Sequence, residues 1–182
     1  MFPIIAGLSG LMGLLGCVCP AKVNRLEAPA DAARYAGTVV EASGDSMSPL
    51  AKPGEKFWLL QDYYRDHAVE RGDIVAYRYA GNRNPLMKAV YAVAGDRWGL
   101  REGGGFYRIL VNGRVLRNSA DREYRIPGVS IKRLMLYSQS YPIIPADTCL
   151  ILGQEPEGSL DSTVFGLVHR QDLVGKIVRQ AN

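Results

Sequence analysis

One lysine lies in the middle of an apolar run that covers residues 86–94. The run is apolar at both alternating sets of positions, which is typical of a strand that is buried on both faces. A charged amine is unfavourable there unless it is neutral or paired with an acid. Lys88 is therefore either an edge-strand lysine that prevents pairing with other chains, or an amine that burial keeps uncharged near neutral pH.

A serine-rich stretch upstream offers such an amine a nucleophile. Residues 43–49 read Ser-Gly-Asp-Ser-Met-Ser-Pro and follow the β-branched residues 38–40. This pattern predicts a strand followed by a sharp turn that holds the Ser46 hydroxyl away from the backbone. A serine hydroxyl needs a base to remove its proton, and lysine replaces histidine in known serine–lysine pairs.

The neighbours of Ser46 fit an oxyanion-binding turn. Gly44 permits close backbone approach or a positive φ, which a turn that presents N–H groups requires. Met47 would add apolar surface beside the hydroxyl. Histidine is the usual base for a serine nucleophile, and the chain has only two histidines, His67 and His169.

The rest of the chain predicts a mainly β fold. Residues 109–111 and 114–116 flank Asn112 and Gly113, which is the sequence signature of a hairpin with a type I′ turn. Further strands are expected over residues 148–152 and 173–178. Because no helical periodicity extends beyond the N-terminal segment, we expect an antiparallel coiled or barrel-like sheet.

Residues 2–19 carry no charge and are just long enough to cross a bilayer. They predict an apolar helix that is a signal anchor, a lipoprotein signal ending at Cys17, or a cleaved export peptide. Lys22 and Arg25 would favour a cytoplasmic flank. We expect a membrane anchor or signal over residues 1–20, a linker over 21–37 and the folded domain over 38–182.

The net charge of +4 is unevenly distributed. Residues 97–133 contain nine Lys or Arg and three Asp or Glu, and they belong to an expected basic β insertion over residues 97–143. Such a segment would face anionic lipid, nucleic acid or solvent. No aromatic stacking platform is interleaved with these charges, which favours a solvated surface and no nucleic-acid partner.

The cysteines and histidines predict neither a disulfide framework nor a metal site. Cys17, Cys19 and Cys149 make no paired framework and no metal-ligand set, and the two histidines are isolated. No glycine-rich phosphate loop is present. We therefore expect no metal and no cofactor.

Several stretches, in chain order, resemble the conserved boxes of the type I signal peptidases, a family of Ser/Lys proteases that includes mitochondrial inner-membrane and conjugation-associated members. The resemblance covers about residues 38–178. It is specific because the boxes occur in the family's order and because 42 positions separate Ser46 in one box from Lys88 in another. The matching stretches are residues 44–50, 71–75, 88–90 with Gly95 and Asp96, 111–114, 144–153, and 159–162 with Gly166, Gly175 and Lys176.

The resemblance implies a role for each matching residue. Ser46 would be the nucleophile and Lys88 the general base, while Ser159 would orient the lysine by a hydrogen bond. Asp161 would be a carboxylate that braces this region, or else the cap of a turn. Gly44, Asp45 and Met47 would surround the oxyanion and the substrate.

Some positions depart from the family pattern. Gln154 and Glu155 stand where the family usually has Asp-Asn, and Thr163 stands where an arginine usually pairs with the aspartate. Ala89 replaces the usual arginine after the lysine. At Gly44 some members have a serine that donates to the oxyanion, so the oxyanion would here depend on backbone N–H groups.

The implied function is removal of signal peptides from exported precursors, with membrane lipid as the second partner. The enzyme would reside in the cytoplasmic membrane with its catalytic domain on the outer or periplasmic face. The sequence leaves two alternatives to this function. One is a self-cleaving Ser/Lys protease of the SOS-repressor type, although residues 36 and 37, the nearest Ala-Gly bond, lie only ten residues before Ser46. The other is a β-barrel binding module whose active site has decayed.

Overall fold

The computed structural model describes residues 26–80 and 84–179, which form two antiparallel sheets and a few short helices. The predicted mainly antiparallel β architecture is therefore confirmed. The predicted N-terminal apolar helix and the first residues of the linker lie outside the described residues. Among the helices of residues 26–80 and 84–179, none has the length and apolarity needed to span a bilayer.

The main sheet has seven strands: β1 (Gly37–Glu41), β2 (Lys56–Gln61), β3 (Ile74–Tyr77), β4 (Leu86–Val93), β9 (Thr148–Leu152), β10 (Val168–His169) and β11 (Leu173–Val178). Their order across the sheet is β1-β2-β11-β3-β4-β9-β10, and each neighbouring pair is antiparallel.

The second sheet is built from the chain between β4 and β9, within the expected basic insertion. Its strands are β5 (Trp98–Gly103), β6 (Phe106–Val111), β7 (Arg114–Val115) and β8 (Ile126–Pro127), and β6 pairs with the other three. The turn between β6 and β7 has φ of 51° at Asn112 and 78° at Gly113. These two positive values are those of a type I′ turn, so the predicted hairpin is confirmed.

Although the sequence shows no helical periodicity beyond the N-terminal segment, residues Lys132–Ser140 form an α-helix, α1. No side chain caps its start, and only Leu134 within it is fully buried, so its sequence carries a weak helical signal. The helix is held by packing against β5 and against α2 (Ser162–Phe165). Three 3-10 turns complete the helices of the described residues: Ala32–Arg34, Tyr63–Arg65 and Arg170–Asp172.

Strand β4 is buried on both faces, as its composition predicts. Ala89 and Tyr91 pack in the larger hydrophobic cluster, whereas Val90 packs in the smaller one. Neighbouring strands cover both edges of β4, since Lys88 pairs with Val75 of β3 and the next residues pair with β9. Lys88 is thus in the interior of the main sheet and is not an edge-strand lysine.

Candidate active site

The structure brings Ser46 and Lys88 together although 42 positions separate them. The Nζ atom of Lys88 lies 2.9 Å from the Oγ atom of Ser46, which is hydrogen-bonding distance. Lys88 is 2% exposed on β4, and Ser46 is half-buried in the turn between β1 and β2. The two functional groups therefore meet where solvent has little access to the amine.

Burial of Lys88 lowers the pKa of its amine below the ordinary value of 10.5, because removal from water disfavours the charged form. The negative charge of Asp161 acts in the opposite direction and is the smaller effect. The amine thus loses its proton more easily than a solvated lysine does.

The turn that carries Ser46 is fixed at both ends by backbone hydrogen bonds. The N–H of Ala42 donates to the carbonyl of Glu55, and the N–H of Gly54 donates to the carbonyl of Ala42, over 2.9 Å each. Gly44 has a φ of 73°, a left-handed value that glycine adopts without strain. The sharp turn that the sequence predicts is confirmed by this geometry.

The other residues predicted around the oxyanion and substrate have different environments. Met47 is 3% exposed and, with Gly44, lines the cleft beside Ser46. Asp45 is exposed and is not part of the cleft lining; its carbonyl accepts a 2.8 Å hydrogen bond from the N–H of Ser48. The N–H of Ser46 donates no hydrogen bond to any residue that the structure describes.

Asp161 is completely buried, and both of its carboxylate oxygens are saturated by neutral donors. One oxygen accepts from the N–H of Gly153 at 2.8 Å and from the Ser159 hydroxyl at 2.6 Å. The other accepts from the N–H and the hydroxyl of Thr163 at 2.9 and 2.7 Å. Thr163, which the sequence analysis placed at the usual arginine position, thus supplies two hydrogen bonds in place of an ion pair.

Asp161 also caps the start of α2, since it is the N-cap residue and accepts from the N–H of Thr163. Asp161 thus caps α2 and also binds the N–H of Gly153 in the preceding loop. No lysine or arginine forms a salt bridge with Asp161 among the residues that the structure describes. Its charge is balanced by hydrogen bonds alone.

A network that the sequence analysis missed supports the loop behind Ser46. The hydroxyl of Tyr124 donates to the carbonyl of Gly153 and lies 2.8 Å from the hydroxyl of Tyr91. The side chain of Gln154 donates to Tyr91 at 3.0 Å, and Asn118 donates to the carbonyl of Gln154 at 2.7 Å. Burial raises the pKa of Tyr91 to about 12, so its hydroxyl remains protonated.

A cleft of about 620 Å³ opens beside Ser46 and Lys88. Its floor is apolar and includes Met47, Ala76 and Ile177. Residues 39–42, most of them in β1, form part of its lining. The size and lining suit an extended peptide with small side chains.

Metal ligation has no structural basis in the described part of the chain, where no three His, Cys, Asp or Glu side chains are grouped closely enough to hold an ion. Cys149 is buried, and burial raises the pKa of its thiol to about 12, which makes it a poor nucleophile. Cys17 and Cys19 lie outside the described residues.

A serine beside a buried lysine defines the class of the Ser/Lys hydrolases. Comparison with known families then gives a specific result: the family model described as "Signal peptidase, peptidase S26" matches residues 32–180. This chain therefore belongs to the signal peptidase S26 family, and it is a serine endopeptidase.

The individual relatives share low sequence identity with this chain. Signal peptidase IB of Staphylococcus aureus is 26% identical over 153 residues, which cover 79% of this chain and 77% of that protein. Signal peptidase I of Leptolyngbya laminosa is 26% identical over 142 residues, which cover 74% and 63% of the two chains. A crystal structure of a signal peptidase I from Enterococcus faecalis shares 20% identity with a TM-score of 0.40, and the match covers 60% of this chain and 97% of that one.

Proposed function

We propose that this protein is a membrane-associated peptidase that removes N-terminal signal peptides from exported precursors, with Ser46 as nucleophile and Lys88 as general base. The observation that carries the proposal is the 2.9 Å separation of Lys88 Nζ and Ser46 Oγ, with the amine buried. Family membership supports the substrate class, because the relatives are signal peptidases.

Acylation begins when the uncharged amine of Lys88 takes the proton from the Ser46 hydroxyl. The Oγ atom attacks the carbonyl carbon of the scissile bond, and the new oxyanion accepts a hydrogen bond from the N–H of Ser46. The C–N bond then breaks, and the Lys88 ammonium returns its proton to the leaving amine. The products of this step are the released mature protein and an ester between Ser46 and the signal peptide.

Deacylation uses the same base. Lys88, again uncharged, takes a proton from water, and the resulting hydroxide attacks the ester carbonyl. Collapse of the intermediate breaks the bond to Oγ, which takes the proton back from Lys88. The signal peptide leaves with a new carboxylate, and no cofactor takes part in either step.

Ser159 and Asp161 act as positioning residues in this proposal. The hydroxyl of Ser159 is held at 2.6 Å by the carboxylate of Asp161, in the loop that follows Gly153. A Cβ added at Gly153 would lie 2.4 Å from the Ser159 Oγ and 2.8 Å from the Ser46 carbonyl oxygen, so this hydroxyl is close to the nucleophile turn. Ser159 donates its hydroxyl proton to Asp161 and, within the described residues, makes no hydrogen bond to Lys88, so its proposed effect on the amine passes through this loop and not through the direct contact that the sequence predicted.

The substrate binds as an added strand. In the described part of the chain, strand β1 has a strand neighbour on one side only, and its other edge offers backbone hydrogen bonds to an extended segment. The apolar floor of the cleft accepts the small side chains of a small-x-small sequence before the cleaved bond. Attachment of residues 1–20 to the cytoplasmic membrane, with the catalytic domain on its outer or periplasmic face, would confine enzyme and precursor to one surface.

The bond proposed for self-cleavage is held in the main sheet. The carbonyl of Ala36 accepts a 3.0 Å hydrogen bond from the N–H of Gln61, and Gly37 pairs with Leu60. This bond is thus not free to reach Ser46, which favours an external substrate.

The test is cleavage of a precursor by the purified full-length protein in detergent. We expect cleavage after the small-x-small sequence, and its loss in Ser46→Ala and in Lys88→Ala, with Lys132→Ala as an exposed-lysine control that retains activity. Absence of cleavage in the wild-type protein would contradict the proposal. A clip between residues 36 and 37 in protein incubated alone would instead indicate self-cleavage.

A further inference from the structure

The open edge of β1 carries a charge that the proposed mechanism does not use. In the part of the chain that the structure describes, β1 is the terminal strand of the main sheet and pairs only with β2. Residues 39–42 lie along the cleft that contains Ser46 and Lys88. A peptide that binds as an added strand must therefore pass next to the side chains of this segment.

Successive side chains of this segment point to opposite faces of the sheet. Val40 and Ala42 pack on the larger hydrophobic cluster, on the same face as the apolar floor of the cleft. Val39 and Glu41 point to the other face, where both are exposed. An added peptide strand alternates in the same way, so one set of its side chains meets the floor and the other set meets Val39 and Glu41.

Within residues 26–80 and 84–179, no ion pair or side-chain hydrogen bond involves Glu41. Glu41 is the one carboxylate among the described residues that line the cleft. Lys56 is its partner in the register of β1 and β2, yet the two side chains form no salt bridge. The negative charge of Glu41 is therefore free to interact with a bound peptide.

We infer that Glu41 is a specificity-determining residue, which selects substrates with a basic side chain two residues before the cleaved bond. The inference rests on the proposed function. In a small-x-small sequence the first and third residues before the bond face the floor, and the residue between them faces the opposite side. Glu41 is the residue on that side of β1 nearest in sequence to Ser46, so its carboxylate lies next to this position.

The experiment uses three peptides that differ only in this residue, which is lysine, glutamine or glutamate. With the full-length protein in detergent we expect kcat/KM to be about fivefold higher for the lysine peptide than for the glutamate peptide, because exposed charge pairs have modest effects. The difference should lie in KM, since the contact is made equally in the ground state and the transition state. It should shrink in 1 M NaCl, where the screening length is about 3 Å.

Substitutions test whether the carboxylate of Glu41 causes the preference for the lysine peptide. Glu41→Gln should bring the lysine-to-glutamate ratio close to one, and Glu41→Lys should invert it. Glu102→Lys makes the same change of charge on β5, away from the cleft, and should keep the wild-type ratio. Persistence of the wild-type ratio in Glu41→Gln would overturn the inference.

The outcomes also separate this inference from the proposed function. Wild-type protein that cleaves all three peptides equally at low salt would overturn the role of Glu41 and leave the peptidase proposal intact. Wild-type protein that cleaves none of them would overturn both. The peptide series and the salt dependence use the wild-type protein. They therefore test the preference for a basic residue even if a Glu41 variant folds poorly.

Discussion

The backbone N–H of Gln154 donates a 2.6 Å hydrogen bond to the carbonyl oxygen of Ser46. This bond ties the turn that carries the hydroxyl to a loop more than one hundred residues later in the chain. The same loop holds Asp161, because the N–H of the preceding Gly153 donates to its carboxylate. The geometry at Ser46 therefore depends on the close packing of this loop.

Gly153→Ala should lower activity by disturbing that packing. A Cβ at this position would lie 2.8 Å from the carbonyl oxygen of Ser46 and 2.4 Å from the Oγ of Ser159, which is closer than real contacts allow. The turn and the hydroxyl must move apart, and a displacement near 1 Å costs about 10²-fold in rate. Steady-state kinetics on a precursor peptide measure the effect.

The matched control is Gly99→Ala on β5, where an added Cβ has no heavy atom within 4 Å. We expect kinetics close to wild type for this variant. Equal kinetics for the two alanine variants would show that the loop does not position Ser46.

Asp161→Asn should move the ascending limb of the pH–rate profile to lower pH. The negative charge of Asp161 favours the protonated amine of Lys88 and so raises its pKa, against the larger lowering by burial. Removing the charge lowers the pKa of Lys88 further, and the uncharged base is then present at lower pH. The measurement is kcat/KM against pH for the variant and the wild type.

Thr163→Val is the control for this prediction. It removes the 2.7 Å hydrogen bond to Asp161 but leaves the charge in place, so stability should fall by about 1–3 kcal/mol while the limb keeps its position. If the ascending limb of the pH–rate profile of Asp161→Asn stays in place or moves to higher pH, the charge of Asp161 does not raise the pKa of Lys88.

Lys176→Met should destabilise the fold because it leaves a buried acid without its cation. Lys176 Nζ lies 2.6 Å from the carboxylate of Asp73, whose side chain is 1% exposed. Among the residues that the structure describes, only the hydroxyl of Tyr64 and the N–H of Glu70 would remain as donors to that carboxylate. We expect the free energy of unfolding in urea to fall by about 3–5 kcal/mol.

The exposed residue Lys132 offers a comparison on α1. Lys132→Met should change the free energy of unfolding by less than about 0.5 kcal/mol. A similarly small change for Lys176→Met would mean that the pair with Asp73 contributes little to stability.

Local sequence patterns predicted the parts of the site that depend on local structure. The apolar run around Lys88 predicted a strand buried on both faces, and the stretch around Ser46 predicted a sharp turn after a strand. Both predictions were correct because strand burial and turn formation follow from a few adjacent residues. Residue chemistry suggested Lys88 as the base for Ser46, and the family resemblance supported that pairing. Local patterns could not predict the contact itself, since sheet order joins the two side chains across 42 positions.

The parts that were missed depend on contacts between distant segments. Tyr124 and Asn118 support the loop at Gly153 and Gln154 from the segment between β7 and β8, and neither has a local pattern that predicts this role. Helix α1 was missed because packing, rather than capping or periodicity, stabilises it. From the sequence, Thr163 indicated only that the usual arginine partner of Asp161 is missing. The structure shows that the hydroxyl and the N–H of Thr163 donate to Asp161 in its place.

The central claim is that the uncharged amine of Lys88 activates Ser46, and the pH dependence of kcat/KM on a precursor peptide tests it most directly. For the wild-type protein we predict a tenfold rise per pH unit up to a single pKa below 10.5, with activity reduced at least about 10³-fold at every pH in Lys88→Ala. A flat profile, or substantial activity in Lys88→Ala, would contradict the account.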